Sequence, residues 1–328
     1  MKQTEEKINY YVTTEEICQK LNFPQDAKEC FLDVEKKINS IAELAEAFEK
    51  QVRFFVDDDS VSMRTANEEL LTLSEKYSIN YLTLKFVYLL HCAPYTRKKY
   101  AERNLPDSLF WDGLADLNCK LKECREMEGV NGTTAECWYE NFLRLNRFTL
   151  GRFQYEPFGI HTRDDLKLEC GYVVKKDSRF VVLHIPGSGI PLTDEQRSKS
   201  YELAYDFFKD WAGGDTVLLH TDTWLLYPRA TEFLPQKSNI LKFMSDFDIY
   251  EWKEKEEFSD AWRLFGRSAE LPVEEWYEDN SLRRAYKNWI ADGNKSGSGR
   301  GFVVMHKGKN VTHIKDFFNN FFEKIWVD

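Results

Sequence analysis

Four side chains in the second half of the sequence have the types and spacing for proton transfer. His184 closes the apolar run VVLHIP (181–186), and His220 closes DTVLLHT (215–221). Imidazole is the side chain best suited to exchange a proton near neutral pH. Asp222 follows His220 by two positions and can orient an imidazole, and Tyr201 supplies a hydroxyl proton. A hydrogen-bonded structural histidine is the plain alternative at both His positions. For Tyr201 it is packing, because Tyr205 lies four residues on, along one helix face.

Directly after His184 the chain reads IPGSGIPLTDEQRSK. Two glycines allow backbone N–H groups to come close to a ligand. Thr193 is a good N-cap, and the start of a helix carries partial positive charge, so strand, glycine loop and helix together form an anion seat. Arg197 and Lys199 lie one turn in, while Asp194 and Glu195 already occupy the helix dipole, which argues for a plain turn.

These residues need elements to hold them. From residue 13 to about 147 the text is helical. Thr13 and Glu16 form a capping box, YLTLKFVYLLHC (81–92) predicts a buried central helix, and 106–127 reads as one helix. TTEEICQKLNF resembles the first helix of a helix-turn-helix, but no basic recognition helix follows, so it reads as an ordinary capped helix. From about 147 the pattern changes to strands at 147–158, 166–176 and 179–186, with a turn at Asp177-Ser178. A helix (193–211), a strand (215–221), a helix (238–247), a strand (247–254), a helix (280–290) and a late strand (299–308) come next. The fold class is therefore α+β: an all-helical domain over 1–146, then a mixed sheet with helices on both faces over 147–328. GNKSGSGRG (293–301) reads as a flexible loop, with Asn294, Gly297 and Gly299 a remote second ligand loop. The terminal VTHIKDFFNNFFEKIW reads as an amphipathic helix that docks on the core or forms a homodimer.

The 328 residues suit two domains, and 24 Phe, 16 Tyr and 9 Trp supply a large core. A net charge of −10 disfavours nucleic acid and anionic membranes as partners. No run of 18 apolar residues appears, and the seven cysteines form no CxxC pair. The expectation is a cytoplasmic protein with reduced thiols and no metal. One metal constellation was weighed: His220-Thr221-Asp222 with His306 or His313 as a 2-His-1-carboxylate iron site, which the helical flanks disfavour. His161 with Asp164 and Asp165 reads as a polar turn.

LGRFQYE (150–156), HIPGSGIPLT (184–193), TWLLYP (223–228) and LPQKSNILKF (234–243) together resemble a bacterial acyltransferase family. Its members join a helical N-terminal domain to a GNAT-like C-terminal domain, and the resemblance covers essentially the whole chain. The usual GNAT loop reads Gln/Arg-x-x-Gly-x-Gly/Ala. Here the glycine spacing of Gly187 and Gly189 is kept, and His184 stands at the leading position.

The resemblance implies N-acyl transfer from acetyl-CoA or a longer acyl-CoA to an amine on a small molecule or peptide. Ile185, Gly187, Ser188, Gly189 and Arg197 would then hold the pyrophosphate, and Asn239 a pantetheine amide. His184, His220, Asp222 and Tyr201 would carry the proton transfers. A non-catalytic CoA-binding protein of the same fold is the alternative.

Overall fold

The structure is a computed structural model, and it describes residues 10–159 and 164–312. The terminal helix expected from residue 311 and the residues His161 and His313 lie wholly or largely outside that range. By internal packing the chain divides into two units, Met1–Phe148 and Thr149–Asp328.

The first unit is helical: α1 (Thr14–Lys20), α2 (Gln25–Ser40), α3 (Ala42–Asp57), α4 (Met63–Lys76), α5 (Tyr81–Glu102), α6 (Asp107–Leu114), α7 (Leu117–Glu128) and α8 (Glu136–Leu143). Both arms of the capping box form: Thr13 Oγ1 accepts from the Glu16 amide at 3.1 Å, and the Thr13 amide donates to Glu16 Oε2 at 2.8 Å. Helix α5 is the hub. Residues 83–90 are all buried, and α1, α2, α3, α4, α6 and α8 pack around it. The single helix expected over 106–127 is two, because α6 closes at Ala115 and α7 restarts from Asp116. Gly113 lies at that break, where an added Cβ would fall 2.3 Å from the Phe142 ring, so α8 sits where only glycine leaves room.

The second unit is built on a sheet of β1 (Phe148–Leu150), β2 (Phe153–Gly159), β5 (Arg179–His184), β6 (Thr216–Thr223), β7 (Asp248–Lys255), β8 (Ser296–His306) and β9 (Lys309–Asn310). The spatial order is β1-β2-β5-β6-β8-β7, with β9 on β8. β5 and β6 run parallel, whereas β2–β5, β6–β8, β7–β8 and β8–β9 are antiparallel. Three strands in a row were expected before the first helix, but the middle one is a separate hairpin, β3 (Leu166–Lys167) with β4 (Val173–Val174). Side chains alternate across a strand. On one face Phe153, from β2, meets α9 (Asp194–Ala212) and α10 (Asn239–Met244) through Tyr201 and Phe243. On the other face the hairpin's Leu168 and Val174 pack with Leu218, Phe302 and Val304. The alternating apolar residues of 166–176 thus cover the sheet instead of joining it.

The glycine-rich text at 293–301 is likewise no loop. Ser296 begins β8, and the strand lies buried between β6 and β7. Gly297, Gly299 and Gly301 line one face, and the 224–227 segment crosses them. A Cβ at Gly299 would sit 2.1 Å from the Leu226 carbonyl oxygen, and one at Gly297 2.3 Å from the Tyr227 ring. The glycines therefore serve close approach in a strand. Gly299→Ala lowers stability by about 2–3 kcal/mol in urea unfolding, the overpacking range. Gly214→Ala, where nothing lies within 4 Å, stays within about 0.5 kcal/mol. Equal effects at the two positions would contradict this packing.

Candidate active site

Strands β5 and β6 pair at Val181↔Leu219 and Val182↔His220 and no further. Beyond that point β5 continues through His184 and β6 through Thr223, so the two strands part at their C-terminal ends. Such an opening at the carboxyl ends of parallel strands is a general ligand position in α/β sheets.

His184 is the last residue of β5, on the hairpin-covered face of the sheet. Its Nε2 lies 2.5 Å from Glu156 Oε2, on the neighbouring strand β2. The two side chains are 22% and 16% exposed, so the pair is partly screened from water yet reachable. A carboxylate against an imidazole fixes the orientation of the ring. Sequence reasoning found His184 and missed Glu156. LGRFQYE alone does not announce it: the antiparallel register Gln154↔His184 is what puts Gln154 and Glu156 on the face of His184.

His220 lies on the same face, but its partner is not Asp222. Its Nε2 is 3.0 Å from the Tyr250 hydroxyl, and its ring packs against Phe180 and Phe302. A register shift in β7 between Ile249 and Glu251 leaves Tyr250 as the bulged residue. A bulge re-aims a side chain in this way, and no sequence pattern announces it. Burial pushes the His220 imidazole down to about 4 from an ordinary 6.5, against the pull of Asp222. The ring is therefore neutral at neutral pH, a hydrogen-bonding group and not a titrating base. Between those two values the unfolded chain takes up a proton that the folded chain refuses, so stability falls as pH drops from 6.5 toward 4. The full loss is roughly 3 kcal/mol. His220→Gln removes it, and urea unfolding across that window gives a flatter pH dependence than wild type. An unchanged slope would show that His220 is not the group responsible.

Asp222 instead accepts from Arg300 Nε at 2.8 Å, and Arg300 also reaches Glu251 at 3.1 Å. Asp222 and Arg300 face each other directly in the β6–β8 register. All three are well exposed, an ordinary cross-strand charge ladder.

Tyr201 sits on the opposite, helix-covered face. It is 2% exposed, stacks on Phe153 and donates to Asp246 Oδ2 at 3.1 Å. Burial raises its hydroxyl pKa well above the ordinary range, so it stays protonated. Arg197 points into the same interior: Nε donates to Asp246 Oδ2 at 2.6 Å, Nη1 to the Leu192 carbonyl at 2.6 Å, and Nη2 to Asp194 at 3.0 Å. These two residues tie α9 to the end of α10 and lie away from the strand opening. The helical spacing that placed them in the first two turns of α9 does not say which way they face.

The glycine loop lies at the opening. Residues 187–191 are exposed, Gly189 has φ +75°, and no hydrogen bond among the described residues engages the Gly187, Ser188 or Gly189 amides. Ile185, the first residue after β5, is half-buried. Thr193 caps α9 by accepting from the Gln196 amide at 3.3 Å. The Asp194 carboxylate turns toward Arg197 and Lys242. Asn239 opens α10 behind the Ser238 cap, and its side-chain amide makes no hydrogen bond among the described residues.

With His306 as the second histidine the iron constellation does not assemble, and His313 lies outside the described residues. His306 pairs in register with Thr216, at the far end of β6 from Asp222, about 20 Å away at strand rise. Its Nδ1 lies 2.9 Å from the Thr216 hydroxyl. Among the described residues no group of three or more His, Cys, Asp or Glu could hold a metal ion.

A mixed sheet with a single parallel pair that opens at its C-terminal end, followed by a glycine loop and a capped helix, defines a GNAT-like domain. Residues 147–303 match the GNAT-like C-terminal domain, and residues 12–145 match the N-acyltransferase N-terminal domain. The chain belongs to the N-acyltransferase family that joins these two domains. Its fold is shared with solved acyltransferases. An acyltransferase mutant in complex with octanoyl-CoA superposes with a TM-score of 0.71 at 20% identity, over 89% of this chain and 87% of that one. An acyltransferase in complex with decanoyl-CoA and teicoplanin gives 0.68 at 19% identity, with the same coverage. Another, with decanoyl-CoA, gives 0.63 at 18% over 89% and 99%. None of the curated proteins matches the chain.

Proposed function

We propose that the protein transfers an acyl group from a CoA thioester to an amine of a small-molecule acceptor. The observation that carries this reading is the opening between β5 and β6 with the Glu156–His184 pair at its edge. The family, and a fold shared with acyltransferases bound to octanoyl-CoA and decanoyl-CoA, support it. Residues 147–328 form the transferase domain on this reading, and residues 1–146 the helical one.

The donor's pyrophosphate rests on the amides of Gly187, Ser188 and Gly189 and the start of α9, where dipole and open N–H groups favour an anion. Its pantetheine arm lies past Ile185 along the parted strand edges, which offer hydrogen bonds as an added strand would. Asn239 is free to bond one of its amides. The acceptor nitrogen attacks the thioester carbonyl; a C–N bond forms and the C–S bond then breaks. His184 takes the proton that the nitrogen sheds, Glu156 stabilises the imidazolium, and the same proton passes to the departing thiolate. A backbone N–H on the opened strand edge stabilises the oxyanion. His220, neutral and bonded to Tyr250, shapes the wall beside the pair.

Medium-chain donors and a small-molecule acceptor come from the relatives solved with octanoyl-CoA, decanoyl-CoA and teicoplanin. No helix among the described residues is long and apolar enough to cross a membrane. The free cysteines fit a reducing cytoplasm. The test is release of free CoA thiol from octanoyl-CoA in the presence of a panel of amines, with the acylated amine identified by mass. Amine-dependent release supports the reading. Binding of octanoyl-CoA without release from any amine identifies a non-catalytic CoA-binding protein instead.

A further inference from the structure

The glycine loop is held from beneath by one side chain that no motif assigns. Arg152 begins the turn into β2 and is only 6% exposed. Its Nε donates to the Ile190 carbonyl at 2.9 Å, and its Nη1 to the Pro186 carbonyl at 3.1 Å. One planar guanidinium thus grips both ends of the five-residue stretch PGSGI. Arginine makes such paired contacts with a fixed fork, which lysine lacks.

The grip sets where the loop's donors point. In a trans peptide the carbonyl and the following N–H lie in one plane and point in opposite directions. The Pro186 carbonyl turned down onto Arg152 therefore turns the Gly187 N–H up, away from the protein. At the other end the Ile190 carbonyl precedes Pro191, which has no N–H to lose. The amides of Gly187, Ser188 and Gly189 engage no group among the described residues. The Arg152 guanidinium, bonded to the carbonyls on either side of these amides, brings a buried positive charge to the loop. The leading position of the loop holds His184, which pairs with Glu156, so Arg152, just before β2, supplies a fixed cation that the loop itself does not carry.

We infer that Arg152 is the positioning residue of the donor's diphosphate site: it fixes the glycine loop with its amides outward and places a positive charge beneath the bound phosphates. The inference rests on the acyl-CoA reading above. It predicts a role centred on the phosphate-bearing end of the donor, because the two carbonyls that Arg152 grips both belong to the loop.

The experiment compares two donors that differ only in that end, octanoyl-CoA and octanoyl-pantetheine, by calorimetric titration of wild type, Arg152→Met and Arg152→Lys. Wild type binds octanoyl-CoA more tightly than octanoyl-pantetheine. Arg152→Met weakens octanoyl-CoA by about tenfold or more and leaves octanoyl-pantetheine within about twofold. Arg152→Lys, which keeps the charge and can hold one carbonyl, falls between wild type and Met and serves alone if the Met variant does not fold. A variant that weakens both donors equally, or neither, overturns the role of Arg152 while leaving the acyl-CoA reading intact. A wild type that binds octanoyl-CoA no better than octanoyl-pantetheine, or binds neither, overturns that reading and the inference with it.

Discussion

His184→Ala lowers amine-dependent release of CoA by about 10²- to 10⁴-fold, the range that a positioned proton-transfer group contributes. Octanoyl-CoA affinity stays within a few-fold, because the imidazole handles the proton and does not hold the donor. Glu156→Gln keeps a hydrogen bond to the ring but removes the charge that stabilises the imidazolium, so its loss is smaller, about 10- to 100-fold, and again falls on turnover. His220→Gln has a lesser effect on turnover, since burial already keeps that ring neutral. Initial rates at saturating donor separate the three. Full activity in His184→Ala would remove the base from the mechanism; loss in His220→Gln equal to that in His184→Ala would move it to the wrong histidine.

Arg197→Ala has the largest effect on stability, about 3–5 kcal/mol, the cost of breaking a buried ion pair from one side. The guanidinium is 4% exposed at the side chain and meets Asp246 at 2.6 Å, and Asp246 is itself 9% exposed. Truncation leaves that carboxylate buried with the Tyr201 hydroxyl and deprived of the Arg197 cation. The double variant Arg197→Met with Asp246→Leu recovers much of the loss, because an apolar pair needs no compensation there. Urea unfolding of the three proteins decides it. A loss under 1 kcal/mol in Arg197→Ala would mean that the guanidinium is not a structural pin.

The difference between these two residues shows what the sequence could and could not carry. The end of an apolar run locates a strand's terminus, so His184, His220 and the glycine loop were all legible as neighbours at one sheet edge. Helical spacing put Arg197 one turn and Tyr201 two turns into α9, close to that loop along the chain, but they face the interior and Asp246. Which face a strand residue shares depends on register across strands, so Glu156 was invisible without the pairing Gln154↔His184. Asp222 looked like the partner of His220 because the two stand two residues apart. Arg300 lies directly across from Asp222 and claims its carboxylate, and a bulge in β7 brings Tyr250 to the imidazole. The run GSGRG looked like a loop because glycine usually marks flexibility; here it marks the close crossing of residues 224–227 over β8.

The central claim is that the loop after β5 seats the diphosphate of an acyl-CoA. Its most direct test is calorimetric titration of octanoyl-CoA into wild type and Ser188→Glu. Ser188 is exposed and among the described residues its side chain bonds only the Ile190 amide, at 3.4 Å, so the unliganded unfolding midpoint should hardly move. A carboxylate placed beside the seat opposes the phosphates. Wild type binds saturably, and the variant binds at least about tenfold more weakly, a difference of about 1.4 kcal/mol. Equal binding by both proteins, or none by wild type, would contradict it.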